Sequence, residues 1–397
     1  MIHAPAPEPT HRLNGLDTLR ATAILLVLMY HYAVVVSHQP TFGFLTTIGW
    51  TGVDLFFVLS GYLIGNQIMS SLARGRAFSL KTFFGRRLLR TLPNYYVILV
   101  AYLLFPAALG GTDTASVWRF LIFTQNIGLH YGETFTHSWS LCIEEQFYVV
   151  LPLAAVLISA LPKSVRWGWL ALATAIIAGM AVRGEAWLEH GRNLMDSSDF
   201  AARVYYSSFA RFDELLPGVA IAMLKNFHGG LNAKITRRGN LLLACGVLMF
   251  AAIAYVFTNY QEIDGYGYSF SVMTFGFPML AGSFAILTLS ALSANSLLNR
   301  VRIPGAEKLA LWSYAVYLAH KPLFKVLMAP LASWDIDVNA PLGITLIMAF
   351  SLFGGWLLYR LVETPFMALR AKWFPTVRSE LDAHNERSGE MRAGTPE

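Results

Sequence analysis

Ten apolar runs of about 18 to 22 residues, each long enough to cross about 30 Å of hydrocarbon, divide this chain at approximately 17–36, 50–70, 91–110, 139–161, 167–183, 205–224, 240–258, 270–293, 309–330 and 341–361. Composition agrees. The 397 residues are 55% hydrophobic and only 14% charged, against roughly 25% charged in soluble domains, and mean hydropathy is +0.48. The expected fold is an all-α polytopic integral membrane protein, one bundle of about ten transmembrane helices in a lipid bilayer.

Basic residues orient it. The segment between the second and third runs carries Arg74, Arg76, Lys81, Arg86, Arg87 and Arg90, whereas the loop before it, SHQPTFGFLTTIG, has none. Lys and Arg collect on the cytoplasmic side, which with an even number of spans places both termini there. Later loops agree, except for Arg183, Arg192 and Arg203, which fall near an outer loop. The expected organisation is a cytoplasmic tail at 1–14, a membrane domain at 15–367 and a second cytoplasmic tail at 368–397. Residues Met1 to Asn14 lack the basic start and small-residue cleavage site of a secretory signal, so the first span is expected to stay. Cys142 and Cys245 both fall inside spans, which gives no disulfide framework. The net charge of +6 reads as an orientation signal and not as a nucleic-acid surface.

Ionisable residues at membrane depth are expensive, and they mark function by default. Arg20 and His31 are eleven residues apart in LDTLRATAILLVLMYHYAVVV. Eleven steps of about 100° come to about 20° past three turns, so the two share one helix face about 16 Å apart. Counted from the outer end, His31, Asp54, Glu144 with Glu145, and Arg211 with Asp213 and Glu214 come from four spans to a similar depth. They are expected to form one layer. At the inner end Arg20 meets Arg86, Arg87 and Arg90. Residues 86 and 90 lie on one helix face, and guanidinium binds phosphate bidentately.

This pattern suits a polyanionic donor entering at the basic end, with its reactive tip reaching His31. A small acyl group on coenzyme A has that shape. Histidine with an acidic partner is the usual general base toward a hydroxyl, and Asp54, Glu144 or Glu145 is expected to orient the imidazole, as the carboxylate of a hydrolase triad does. No GxSxG elbow is present and neither cysteine has a base near it in sequence, which favours direct transfer over an acyl-enzyme. No metal ligands are assigned. Arg211, Asp213, Trp139 and His320 are assigned to acceptor binding, with His320 as either a core hydrogen-bonder or part of an acceptor tunnel. Gly52, Ser60 and Gly61 are expected to permit close helix packing. Trp50, Tyr95, Tyr96, Trp139 and Trp312 read as interfacial anchors unless they line a cavity.

The strings RLNGLDTLRATAILLVLMYHY, WTGVDLFFVLSGYLI, FFGRRLLRTLPNYY, HSWSLCIEEQFYVVLP, RFDELLPGVAIAML, SYAVYLAHKPL and YRLVETPF occur in the order found in a known family. Over residues 13 to 367 the chain resembles the acyltransferase-3 family of membrane O-acyltransferases. The resemblance assigns the Arg-x10-His signature to Arg20 and His31, the basic third-helix signature to Arg86, Arg87 and Arg90, and the WSLxxExxFY motif to Trp139, Ser140, Leu141, Glu144, Phe147 and Tyr148. It implies O-acetyltransferase activity in the bacterial cytoplasmic membrane, with acetyl-CoA or another acyl-CoA as donor and a hydroxyl of a surface or exported carbohydrate as acceptor. Some members acylate small molecules such as macrolides. Many carry a C-terminal SGNH hydrolase-like domain, and this chain is expected to be a stand-alone form. A histidine and carboxylates at one depth also describe a proton-coupled transporter, and that alternative stays open on sequence grounds. The missing internal repeat counts against it.

Overall fold

The computed structural model describes residues 14–76, 78–112, 115–190, 196–263 and 267–375. Arg192, residues 1–13 of the expected tail at 1–14 and residues 376–397 of the expected tail at 368–397 therefore lie outside the described residues. What is described is almost wholly helical, with one small antiparallel ladder pairing Glu262–Ile263 with Gly267–Tyr268. In lipid a backbone must satisfy its own hydrogen bonds, which leaves the helix as the economical solution for these runs.

Eleven longer helices carry the architecture: α1 Asn14–Tyr32, α2 Thr51–Ala73, α3 Leu80–Leu104, α4 Trp139–Ser159, α5 Ser164–His190, α6 Leu216–Phe227, α7 Gly239–Tyr260, α8 Phe277–Ala291, α9 Ala306–Ser333, α10 Pro341–Leu358 and α11 Thr364–Trp373. A π-helical turn, Ala33–Ser37, extends α1 directly after His31. Among the described residues, seven segments are long and apolar enough to cross a membrane: Asn14–Ser37, Thr51–Ala73, Thr136–Ser159, Ser164–His190, Gly239–Tyr260, Val272–Ala291 and Pro341–Trp373. The other three expected runs coincide with α3, with Ser208–Phe227, and with α9. Polar residues dilute each of these: Arg87, Arg90 and Asn94 in the first, Arg211, Asp213 and Glu214 in the second, and His320, Lys321 and Lys325 in the third.

Helices α1 and α2 pack together at the centre. Helix α6 lies along α2, α9 along α1, and α8 behind both, with α7 outside α8 and α10 outside α9. The most apolar stretches of α5, α7 and α10 are mostly uncovered by protein, as expected of faces turned to lipid. Helix α11 packs on α3 and so runs into the stretch expected to be a tail.

Small residues set the central distances, as they do where helices associate without a hydrophobic drive. A Cβ on Gly52 would stand 2.4 Å from the Ala23 carbonyl oxygen of α1, one on Gly61 would stand 1.9 Å from the Leu215 carbonyl oxygen, and one on Gly218 would stand 2.1 Å from the Val58 carbonyl oxygen. Ser60 has a different job, because its hydroxyl donates to Glu144 Oε1 at 3.1 Å. Replacing Gly218 by Val should force α6 off α2. Thermal unfolding in detergent, followed by size-exclusion fluorescence, is expected to show a midpoint lower by several degrees, and an unchanged midpoint would mean that this approach is not required.

Candidate active site

At one end of the bundle α1, α2, α3, α4, α9 and α11 enclose a cavity of about 550 Å³. Arg20, Arg86, Arg87, Arg90 and Arg370 line it, with Glu144 and Glu145 as the carboxylates. Arg87 is fixed in place: its guanidinium carbon lies 3.7 Å over the centre of the Tyr148 ring, and Glu144 and Glu145 approach it at 3.7 and 3.8 Å. Tyr148 also donates to Glu144 Oε2 at 2.7 Å. Arg86 donates to the Phe374 carbonyl, and Arg20 reaches Ser313 Oγ at 3.5 Å. Even so, Arg87 Nε and Arg370 Nε are buried without a hydrogen-bond acceptor. Five guanidinium groups against two carboxylates, with buried donors unmatched, make a site whose complement is an anion with several acceptor oxygens.

At the other end of the same α1 face lies a much smaller cavity of about 30 Å³, room for about one water. His31 and Lys321 line it, within an aromatic wall that includes Trp50, Trp139, Tyr205 and Tyr206. Val53 belongs to both cavities. In this conformation the side chain of one residue of α2 separates the histidine chamber from the arginine chamber.

His31 is not partnered as expected. Its Nδ1 lies 2.9 Å from Nε2 of His320 on α9. His320 Nδ1 lies 2.6 Å from the Tyr317 carbonyl oxygen and 3.3 Å from that of Val316. A third imidazole, His137, has its ring centre 6.4 Å from that of His31 and 5.2 Å from that of His320, and its Nε2 donates to the Leu318 carbonyl at 3.0 Å. The Tyr317 hydroxyl donates to the His137 carbonyl at 2.6 Å and accepts from Ser140 Oγ at 2.7 Å. Because Ser140 and Tyr317 line the arginine cavity, this hydrogen-bonded group connects the two chambers.

The expected single layer of ionisable groups is thus divided into four. Glu144 and Glu145 do not reach His31, since the helical segment begins at Thr136 and Glu144 lies seven residues, about 10 Å, beyond His137. Asp54 does not reach it either. Its Oδ1 accepts from Arg211 Nη2 at 2.8 Å, in a closed group where Arg211 also bonds Glu214 and the Tyr205 carbonyl. Arg211 and Asp213, expected at the acceptor, line neither cavity. Arg211 stands behind the aromatic wall, its guanidinium carbon 5.2 Å from the Trp139 ring centre and 4.7 Å from that of Tyr205. Asp213 accepts both bonds of the Arg183 fork, at 2.7 and 2.8 Å. That explains Arg183 as an exception to the charge pattern: it is an internal counter-ion and not a loop charge. Trp139 does line the small cavity, whereas His320 lies behind His31 and not in an acceptor tunnel.

A family model for an acyltransferase domain matches residues 13–360. The chain belongs to the acyltransferase-3 family. Peptidoglycan O-acetyltransferase OatA of Listeria monocytogenes is 26% identical over 325 residues, which are 78% of this chain and 49% of that protein. A Staphylococcus aureus protein with the provisional name O-acetyltransferase is 29% identical over 380 residues, 89% and 57% of the two chains. A Bacillus subtilis protein provisionally named peptidoglycan O-acetyltransferase is 32% identical over 230 residues, 54% and 34%. The chain spans about half the length of the curated relatives it matches. No solved structure matches it.

In this acyltransferase-3 member, Arg20, Arg86, Arg87 and Arg90 come together as expected, and Arg370 joins them from α11. Sequence reasoning missed Arg370, His137 and Lys321. His137 and Lys321 left a trace, at the head of the quoted HSWSL string and beside His320 in SYAVYLAHKPL, whereas Arg370 lies outside every quoted string. The Arg183–Asp213 pair is fully buried on both sides, and removing one partner of such a pair costs about 3–5 kcal/mol while replacing both with apolar residues is often neutral. Arg183→Met is therefore expected to lower the thermal midpoint in detergent by several degrees, with Arg183→Met/Asp213→Leu recovering most of the loss. Equal midpoints for wild type and the single variant would show that the pair is dispensable.

Proposed function

We propose that this protein is a membrane O-acyltransferase that takes an acetyl or another short acyl group from acyl-CoA in the arginine cavity and passes it to a hydroxyl in the histidine cavity. The observation that carries the reading is the shared Val53 wall: an anion-binding chamber and a chamber with an imidazole meet at one small side chain on a single helix face. The charge pattern of the loops favours a cytoplasmic position for the arginine end, which suits acyl-CoA as the donor. The names of the relatives favour a glycan acceptor, peptidoglycan first, presented from the other side of a bacterial cytoplasmic membrane.

Each residue then has a task. Arg20, Arg86, Arg90 and Arg370 take the phosphates, while Arg87, locked by Tyr148 and the two glutamates, holds the mouth of the inner chamber in shape. Glu144 and Glu145 act as anchors of that arginine and not on His31. The acyl end of the donor passes Val53 and brings its thioester carbonyl to the small cavity, which must widen beyond the one-water volume of this conformation to admit it with the acceptor hydroxyl. His31 Nε2 takes the proton of the acceptor hydroxyl as its oxygen attacks the carbonyl carbon. A C–O bond forms, the C–S bond breaks, and the proton on His31 goes to the departing thiolate. The aromatic wall of Trp50, Trp139 and Tyr205 suits the apolar faces of a sugar.

The test is release of free thiol from acetyl-CoA by the purified protein in lipid, with soluble peptidoglycan fragments as acceptor. His31→Ala is expected to reduce acceptor-dependent release by 100-fold or more, in line with the roughly 10²–10⁴ that general bases contribute; near wild-type release would reject the base assignment. Arg90 has no ion pair or hydrogen bond of its own among the described residues, so Arg90→Ala should leave folding intact. Losing a charge-assisted phosphate contact of about 1.5–3 kcal/mol is expected to weaken acetyl-CoA binding by about tenfold or more in calorimetry. Unchanged affinity would remove Arg90 from the donor site.

A further inference from the structure

We infer that His320 is a positioning residue that holds His31 in the one tautomer able to act as a base toward the small cavity. The inference rests on His31 being the general base and specifies how it is aligned without a carboxylate. His320 is fully buried, and its Nδ1 faces two backbone carbonyl oxygens, Tyr317 at 2.6 Å and Val316 at 3.3 Å. Carbonyl oxygens only accept, so Nδ1 of His320 carries a proton. In a neutral ring that leaves Nε2 as a bare lone pair. The atom 2.9 Å away is Nδ1 of His31, which therefore donates, and the lone pair of His31 is left on Nε2. The logic is that of metal-bound and triad histidines, where the bond made by one ring nitrogen decides which form the other takes. Here the fixing group is a helix backbone, relayed through a second imidazole.

During transfer the proton of the acceptor hydroxyl moves to His31 Nε2 and then to the leaving thiolate, while the Nδ1–H bond to His320 persists throughout. His320 neither gains nor loses a proton. Position 320 therefore needs an acceptor at the level of Nε2, and this separates it from a residue that merely fills space. Glutamine carries its amide oxygen to about that level; asparagine stops at the level of Nδ1, and leucine offers nothing.

The experiment uses full-length protein labelled with ¹⁵N-histidine in lipid, with magic-angle-spinning NMR reading the protonated nitrogen of each ring. The His31 signals are identified by their loss in His31→Ala. Wild type is expected to show His31 protonated at Nδ1 and bare at Nε2. His320→Leu and His320→Asn should shift His31 toward the Nε2-protonated form and lower the turnover number for acetyl-CoA thiol release by about 100-fold with KM for acetyl-CoA unchanged. His320→Gln should restore the tautomer and return turnover to within about tenfold of wild type. Detergent melting confirms that the variants fold, and the wild-type spectrum decides the tautomer even where a variant does not. An Nε2-protonated His31 in wild type, or a leucine variant with His31 unchanged, overturns the inference. If the tautomer follows position 320 while His31→Ala keeps wild-type turnover, the contact stands and the general-base reading falls.

Discussion

Ionisable side chains inside the membrane bundle must find partners there, and this requirement organises the whole molecule. A lone charge in hydrocarbon is costly enough that it will be paired, hydrated or moved to an interface. This chain uses each solution in a different place. Asp54, Arg211 and Glu214 close on one another, and Arg183 closes on Asp213, with no exposure left on these pairs. Arg87 is shared between two glutamates and a tyrosine ring but keeps one nitrogen unmatched. His31 has no carboxylate beside it: its Nδ1 meets Nε2 of His320 and, through that ring, a backbone carbonyl. The closed groups hold the bundle together. Arg87 and Arg370, each with a buried nitrogen unmatched, line the larger cavity.

The close approach of α1, α2 and α6 turns this sorting into a site. Gly52 lets α2 lie against α1, and Gly61 with Gly218 lets α6 lie against α2, and Val53 of α2 shares one cavity with Arg20 and the other with His31. Adjacent residues on a helix point about 100° apart. Val53 can thus divide the two chambers while Asp54 turns into the closed group with Arg211. One turn of α2 serves both the cavity wall and the structural core behind it.

The spacing of Arg20 and His31 was legible because helical periodicity is local: eleven residues return to the same face whatever the neighbours do. The same holds for Arg86 and Arg90, and for the apolar runs, which fall on helices throughout. Depth counting failed for Glu144, Glu145 and Asp54 because depth says nothing of azimuth. It also misplaced the start of the fourth span by about one turn, enough to put the glutamates at the wrong level. Arg183 could not be understood from its loop-like position, since its partner Asp213 is thirty residues further on, across a segment that includes undescribed residues.

Hydropathy, charge and periodicity by themselves determined that the chain is a helical membrane bundle with a guanidinium cluster and a histidine on one helix face, because those properties are set within single segments of about twenty residues. Tertiary structure alone decided that His31 meets His320 and not a carboxylate, that Arg370 joins the anion site, and that Val53 stands between the chambers. Those are contacts between α1, α2, α4, α9 and α11, and the order and rotation of helices about one another follow from small-residue packing and polar pairing across the bundle, which no single segment encodes.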